Sequence, residues 1–330
     1  MQEVTRQAIL AAASRLFENG TVDRALGWKK GEIGYDVTPG VFQSMDEMEN
    51  EFVWNDFCGA NLSKYLIRET GKTEKKVLVF LKPCDTYSFN QLLTEHRFDR
   101  EKVYAVGVPC DGMADDKKLR EMAEDVTGAE VTGDQAVVHT LYHGDVQVEK
   151  TALLPVRCVE CKSKKHVAYD ELLGEDGQVE DSHRFDQVAQ LEAMTPDERF
   201  AFWQNELSRC IRCNACRDVC PACTCEKCVF DNPSSGVSNK AAANSFEEKM
   251  LHIIRAFHVA GRCTDCGECS RVCPQHIPLH LLNRKFIKDI DAFYGEYQAG
   301  AEVGSRAPLV NYTKEDPEPA QVVEGGREHA

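Results

Sequence analysis

Cys210-Ile211-Arg212-Cys213-Asn214-Ala215-Cys216-Arg217-Asp218-Val219-Cys220-Pro221 and Cys263-Thr264-Asp265-Cys266-Gly267-Glu268-Cys269-Ser270-Arg271-Val272-Cys273-Pro274 are two copies of one pattern, Cys-x2-Cys-x2-Cys-x3-Cys-Pro. At this spacing a short loop wraps three thiolates around a cubane iron–sulfur cluster, and the fourth cysteine, followed by proline, reaches across to the other cluster. Cys210, Cys213, Cys216 and Cys273 are therefore expected to hold one [4Fe–4S] centre, and Cys263, Cys266, Cys269 and Cys220 a second. Structural zinc uses paired CxxC knuckles and has no reason to repeat a run of this kind. The pair predicts a mainly α-helical, ferredoxin-type dicluster domain over residues 196–295, and with it electron transfer.

Composition bounds the remaining classes. Sixteen cysteines in 330 residues would suggest a disulfide scaffold only in a short secreted chain. Residues 1–17 have no continuous apolar segment of the kind a signal peptide needs, and no run of about eighteen apolar residues is present to span a membrane. The expectation is a cytoplasmic protein whose thiols stay reduced and available for metal. A net charge of −15 argues against a nucleic-acid partner, which calls for a basic surface. It suits either a basic redox partner or plain solubility.

Residues 1–195 read as an α/β domain. Val77-Leu78-Val79-Phe80-Leu81 and Val103-Tyr104-Ala105-Val106-Gly107-Val108 are short apolar runs rich in strand formers, separated by a helix-length segment at residues 88–100. That arrangement is the pattern of buried strands in a βαβ unit. Further helices are expected over residues 3–19, 58–69, 115–126 and 196–207, a strand over 136–142, and an acidic loop at 174–182. Cys84 and Cys110 each follow the carboxyl end of a strand, where open α/β sheets bind ligands. Together with Cys158-x2-Cys161 they form the expected ligand set of a third cubane, against the alternative of buried, inert thiols. Cys58 is expected to be a packed residue.

Cys223, Cys225 and Cys228 follow the first motif closely, and three readings compete. They supply three ligands of a fourth cluster, serve as alternates to the first set, or tune potential as neighbouring thiols. Phe246, Met250, Ile253, Ile254 and Phe257 form a stripe at helical spacing. His252 and His258 lie on or near that helix as surface or packing residues, and His276 and His280 follow the second motif as satisfied histidines. No GxGxxG follows a strand, and Gly107-x2-Cys110-x-Gly112 is too slight to mark a phosphate site. Residues 296–330 read as an extended or disordered tail, suited to lying on a partner.

Lys82-Pro83-Cys84-Asp85, Gly107-Val108-Pro109-Cys110, Cys158-x2-Cys161 and Tyr169-Asp170-Glu171-Leu172 resemble the beta-subunit family of deazaflavin-reducing hydrogenases and formate dehydrogenases. Cys220-Pro221-x-Cys223-x-Cys225-x2-Cys228 and Ala260-Gly261-Arg262-Cys263 are similar to the dicluster modules of anaerobic sulfite reductase A subunits and heterodisulfide-reductase-linked oxidoreductases. The resemblance implies an iron–sulfur subunit of a cytoplasmic, anaerobic redox complex. Its implied partners are flavoprotein, heterodisulfide-reductase-like, hydrogenase or formate dehydrogenase subunits. It also implies FAD, whose contacts in that family find no residue-by-residue counterpart here. The expected function is an electron relay between the N-terminal domain and partner subunits. The rivals are a self-contained flavin-dependent reductase, with His96, Asp85 and Asp111 as candidate acids or bases by location, and a scaffold in which clusters only staple the fold.

Overall fold

The computed structural model describes residues 4–179, 183–232 and 245–310. Its first half is built on a five-stranded sheet of β1 (Val22–Lys30), β2 (Val37–Phe42), β3 (Lys76–Leu81), β4 (Val103–Gly107) and β8 (Glu171–Leu172), in the order β2-β1-β3-β4-β8. β3 and β4 run parallel with Leu81 opposite Gly107, β1 pairs parallel with β3 and β8 with β4, and β2 pairs antiparallel with β1. Val77 to Leu81 and Val103, Ala105, Val106 and Val108 are fully buried. These two strands are covered on both faces, which is why their sequences are continuous apolar runs rather than alternating ones.

The helix after β3 spans Pro83–Thr94, five residues earlier than its sequence reading. Proline is pre-set for the first helical position, and the Asp85 carboxylate accepts from the Lys82 backbone N–H. At the other end His96 has φ 51°, and the N–H groups of His96 and Arg97 return to the carbonyls of Leu93 and Leu92, closing the helix before residue 100. Cys84 consequently sits in the first turn of this helix, directly over the end of β3.

A second, antiparallel sheet comprises β5 (Val126–Thr132), β6 (Gln135–Thr140) and β7 (Val146–Glu149). The helix expected over 115–126 therefore stops at Met122, where the β-branched run from Val126 joins a hairpin turned at Gly133, φ 58°. Residues 58–62 are not helical: Asn61 folds its side chain onto the Ser63 N–H and the Ser88 hydroxyl, and helix begins only at Ser63. Cys58 is nevertheless buried and packed, as expected.

From residue 183 onward every named element is a helix or 3-10 turn, the longest being Pro196–Ser208, Ser245–Val259 and Leu279–Tyr294. The chain then runs back over the α/β half. Ala299 and Ala307 are buried, the Gly304 N–H donates to the Thr94 hydroxyl at 2.9 Å, and Gly300, φ 76°, lies so close to the Tyr87 carbonyl that a Cβ would stand 1.9 Å from the oxygen. The stretch of the sequence-read tail from 311 to 330 lies outside the described residues.

Candidate metal centres

Two strand ends and one short helix bring four thiols together in the N-terminal half. Cys84 opens the helix after β3, Cys110 follows β4, and Cys158 and Cys161 come from a turn of helix at Val156–Val159 and the residues just after it. All four line one small cavity of about 40 Å³. Cys110, Cys158 and Cys161 also border an open cleft of about 1040 Å³ beside it. The Cys110 Sγ accepts the Gly112 N–H at 3.4 Å. Lys82 is fully buried here. Its ammonium pairs with Asp85 at 2.8 Å, donates to the Ala60 carbonyl at 2.9 Å and lies 4.4 Å above the Trp28 ring. Burial opposes its charge, but Asp85 and Cys84 outweigh that opposition and raise its pKa.

In the C-terminal half the two cysteine loops share one backbone signature. Arg212 and Asp265 both have left-handed φ (54° and 56°), as do Asn214 and Gly267 (63° and 68°). Each loop then enters one turn of helix, Ala215–Asp218 and Glu268–Arg271. The duplication in sequence is thus a duplication in conformation. Cys216 feels the charges of Cys269, Cys210 and Cys273, whereas Cys263 feels those of Cys220 and Cys266. Cys273 thus lies near the first loop and Cys220 near the second, the placement that crossed ligation would use. Cys269 stands between the two, packed with Cys210, Cys216 and Cys273 while also sensing Cys220. Among the described residues no three His, Cys, Asp or Glu side chains converge on a single ion; a cubane instead spreads its four thiolates around a core.

The surroundings fit bound clusters. Burial pushes the thiols of Cys110, Cys216 and Cys266 up to about 12, and a metal binds thiolate rather than thiol, so ligation there must displace protons. Counter-charge is in place. Arg255, buried on the 245–259 helix, donates to the Cys216 carbonyl at 3.0 Å and feels the charges of Cys220, Cys269, Cys216 and Cys223. Its Nε is buried with no hydrogen-bond partner, a donor that a cluster sulfur would satisfy. His252, held neutral by burial with its pKa lowered to about 4, sets Nε2 3.2 Å from the Cys210 Sγ.

The two halves are joined where their thiols meet. The cavity holding Cys84, Cys110, Cys158 and Cys161 is also walled by Asp265 and Cys266 of the second loop. Arg157, adjacent to Cys158, crosses this boundary to pair with Glu268 at 2.6 Å and donates to the carbonyls of Cys266 and Gly59, each at 2.9 Å. Gly267 leaves room for it: a Cβ there would lie 2.6 Å from the Arg157 side chain. Lys162 donates to the Thr264 carbonyl, and Arg284 bridges Glu160 and Asp265.

Comparison with known proteins finds the dicluster pattern and a set of distant relatives. Residues 206–277 match the 4Fe-4S dicluster domain family. The F420-dependent formate dehydrogenase subunit beta of Methanocaldococcus jannaschii is 24% identical, over 92% of this chain and 94% of that one. The F420-dependent formate dehydrogenase 1 subunit beta of Methanococcus maripaludis is 23% identical, over 68% of this chain and 73% of its own. The chain resembles the beta-subunit family. Among solved structures, the F420-reducing [NiFe] hydrogenase complex from Methanosarcina barkeri aligns with a TM-score of 0.37 and 17% identity, over 49% of this chain and 59% of that one.

Of the remaining sequence candidates, Asp85 is consumed by Lys82, Asp111 pairs with Lys164 at 3.3 Å, and His96 ends a helix. His280 is buried with Nδ1 2.9 Å from the Ser270 hydroxyl, His276 faces Glu121 at 3.4 Å, and His258 rests against Phe230. His252 is more than the packing residue read from sequence, since its ring touches a ligand thiol. The cations Lys82, Arg157, Lys162 and Arg255 went unread. Arg255 lies on the buried face of its helix with His252, Ala256 and Val259, whereas Ile253 and Phe257 of the apolar stripe read from sequence are exposed. Arg255→Met removes a buried positive charge beside the paired loops and is expected to make reduction harder there, lowering the reduction potential by on the order of 60 mV, about 1.4 kcal/mol for one electron. Potentiometric titration of the variant against the parent chain measures it.

Proposed function

We propose that this chain is the iron–sulfur electron-transfer subunit of an oxidoreductase complex, built as a relay of three cubane sites. The dicluster match and the relatedness to formate dehydrogenase beta subunits support the iron–sulfur role. The observation that carries the relay is the shared wall between Cys84, Cys110, Cys158, Cys161 and Cys266. When bound, the clusters supply one-electron carriage. The chain supplies the rest. Cys84, Cys110, Cys158 and Cys161 hold the first station, Cys263, Cys266, Cys269 and Cys220 the second, and Cys210, Cys213, Cys216 and Cys273 the third. Arg157 and Arg255 place buried positive charge beside successive stations, and the packing of Cys220, Cys269 and Cys273 keeps water from their sulfurs. No helix among the described residues is long and apolar enough to cross a membrane.

FAD, implied by the family, would meet no unengaged cation among the described residues that line the sheet-edge cleft. The cleft beside Cys110 is large enough, yet each cation lining it is engaged: Lys150 by Asp56 at 3.1 Å, Lys164 by Asp111, and Arg6 by the carbonyls of Phe52 and Glu49. The route is therefore drawn through thiolate sites alone.

The crossed ligation is tested by Cys220→Ser. The expected outcome is a changed EPR signal from the centre of Cys263, Cys266 and Cys269, with the signal of the Cys210 loop intact, because Cys220 lies beside Cys263 and Cys266. A change confined to the Cys210 centre contradicts the assignment.

A further inference from the structure

The third station opens into a cavity of about 530 Å³ that Cys210, Cys213, Cys216 and Cys273 share with three more thiols, those of Cys223, Cys225 and Cys228. Cys220 is not among its walls. The three extra cysteines line this space with the Cys210 set, the Cys223 thiol also hydrogen-bonding the Cys220 thiol, and Cys213 and Cys225 are both exposed. The CxCxxC step thus brings all three thiols to the lining of one chamber.

The loop that carries them is clamped from outside. Lys64 donates to the carbonyls of Arg217, Asp218 and Cys223 at 3.3, 2.6 and 3.0 Å. Arg97 donates to the Thr224 carbonyl at 2.9 Å, and the Thr224 hydroxyl bonds Glu95, which is itself paired with Arg262 at 2.7 Å. Arg217 bonds the Cys228 thiol and pairs with Asp231 at 2.7 Å. A connecting loop with no ligand to hold has no need of so many fixed points from the opposite half of the molecule, whereas ligand thiols must be held in place before metal arrives.

We propose that Cys223, Cys225 and Cys228 form a further metal site at the mouth of this cavity, taking a [4Fe–4S] cluster through three thiolates. Three protein thiolates leave one iron of the cubane with an exchangeable position. Its role, though not its metal content, rests on the relay reading above: an electron entering or leaving the Cys210 station through this mouth passes it first, so the site is the terminal station that a partner subunit meets.

The experiment is iron and acid-labile sulfide analysis of the full chain, prepared and reconstituted without oxygen, beside the double variant Cys225→Ser/Cys228→Ser and the control Cys58→Ala. The proposal expects about sixteen irons in the parent chain and the control, and about twelve in the double variant with the other EPR signals retained. About twelve irons in the parent overturns it and leaves the relay intact, and so does a double variant that keeps all sixteen. Should the double variant fail to fold, the parent count alone still decides. A chain without iron overturns both readings.

Discussion

Cys84→Ser is expected to remove one whole cluster, about four irons per chain, and to cut the relay at its first station while leaving the α/β half folded. The thiol is one of four around the small cavity at the ends of β3 and β4, and a hydroxyl does not replace a thiolate on iron at neutral pH. The strands beneath do not depend on the metal. Val77 to Leu81 and Val103 to Val108 are buried against Ile9, Leu16, Phe42, Phe52 and Phe89 in one continuous core, and burial of each large side chain contributes roughly 1.5–3 kcal/mol. Far-ultraviolet circular dichroism should therefore match the parent chain while the visible iron–sulfur absorbance falls by about a quarter to a third. A variant that keeps its full iron content shows that Cys84 is a packed thiol, and the first station is lost from the account.

The largest expected effect on stability belongs to Arg157→Leu. Glu268 is completely buried, and its carboxylate, despite the burial that opposes its charge, is held down to about 2 by Arg271 and Arg157. Removing Arg157 strips Glu268 of one of two counter-charges and leaves the carbonyls of Gly59 and Cys266 without their donor. Breaking a buried ion pair from one side typically costs about 3–5 kcal/mol. Because the guanidinium joins segments 109 to 111 residues apart in sequence, the loss falls on the junction between the first and second stations. The expected outcome is a clear drop in the thermal midpoint together with slower electron exchange between the two halves. Arg157→Lys restores the charge but not the fork of donors, so it should recover part of the stability. Equal stability of Arg157→Leu and the parent would show that the halves are joined elsewhere.

The parts of this molecule that were legible in sequence are those in which local pattern and final environment coincide. β3 and β4 are buried on both faces, so their apolar runs spoke for themselves. The two Cys-x2-Cys-x2-Cys-x3-Cys-Pro loops were legible because the ligand spacing is enforced by the loop itself, down to left-handed residues at equivalent places. β1 and β2 were missed: Pro39, Gly40 and three lysines or arginines in β1 break the apolar pattern of an outer pair. β5 and β7 were missed for the related reason that a largely exposed ribbon alternates weakly. The helix boundary at Pro83 was misplaced because the β-like run into Lys82 hid the cap. The buried cations were illegible in principle. Arg157, Lys162 and Arg284 acquire their meaning from partners about 20 to 125 residues away, and nothing in their own neighbourhoods announces the pairing.

The relay stands or falls on whether its stations are reducible metal. A potentiometric EPR titration of the whole chain, purified without oxygen, tests this directly. The account predicts at least three successive one-electron reductions, with spectra that broaden as neighbouring centres become reduced together, since the thiol sets share walls. Zinc in place of iron, or iron centres that stay silent throughout the titration, would contradict it and leave a cluster-stapled scaffold.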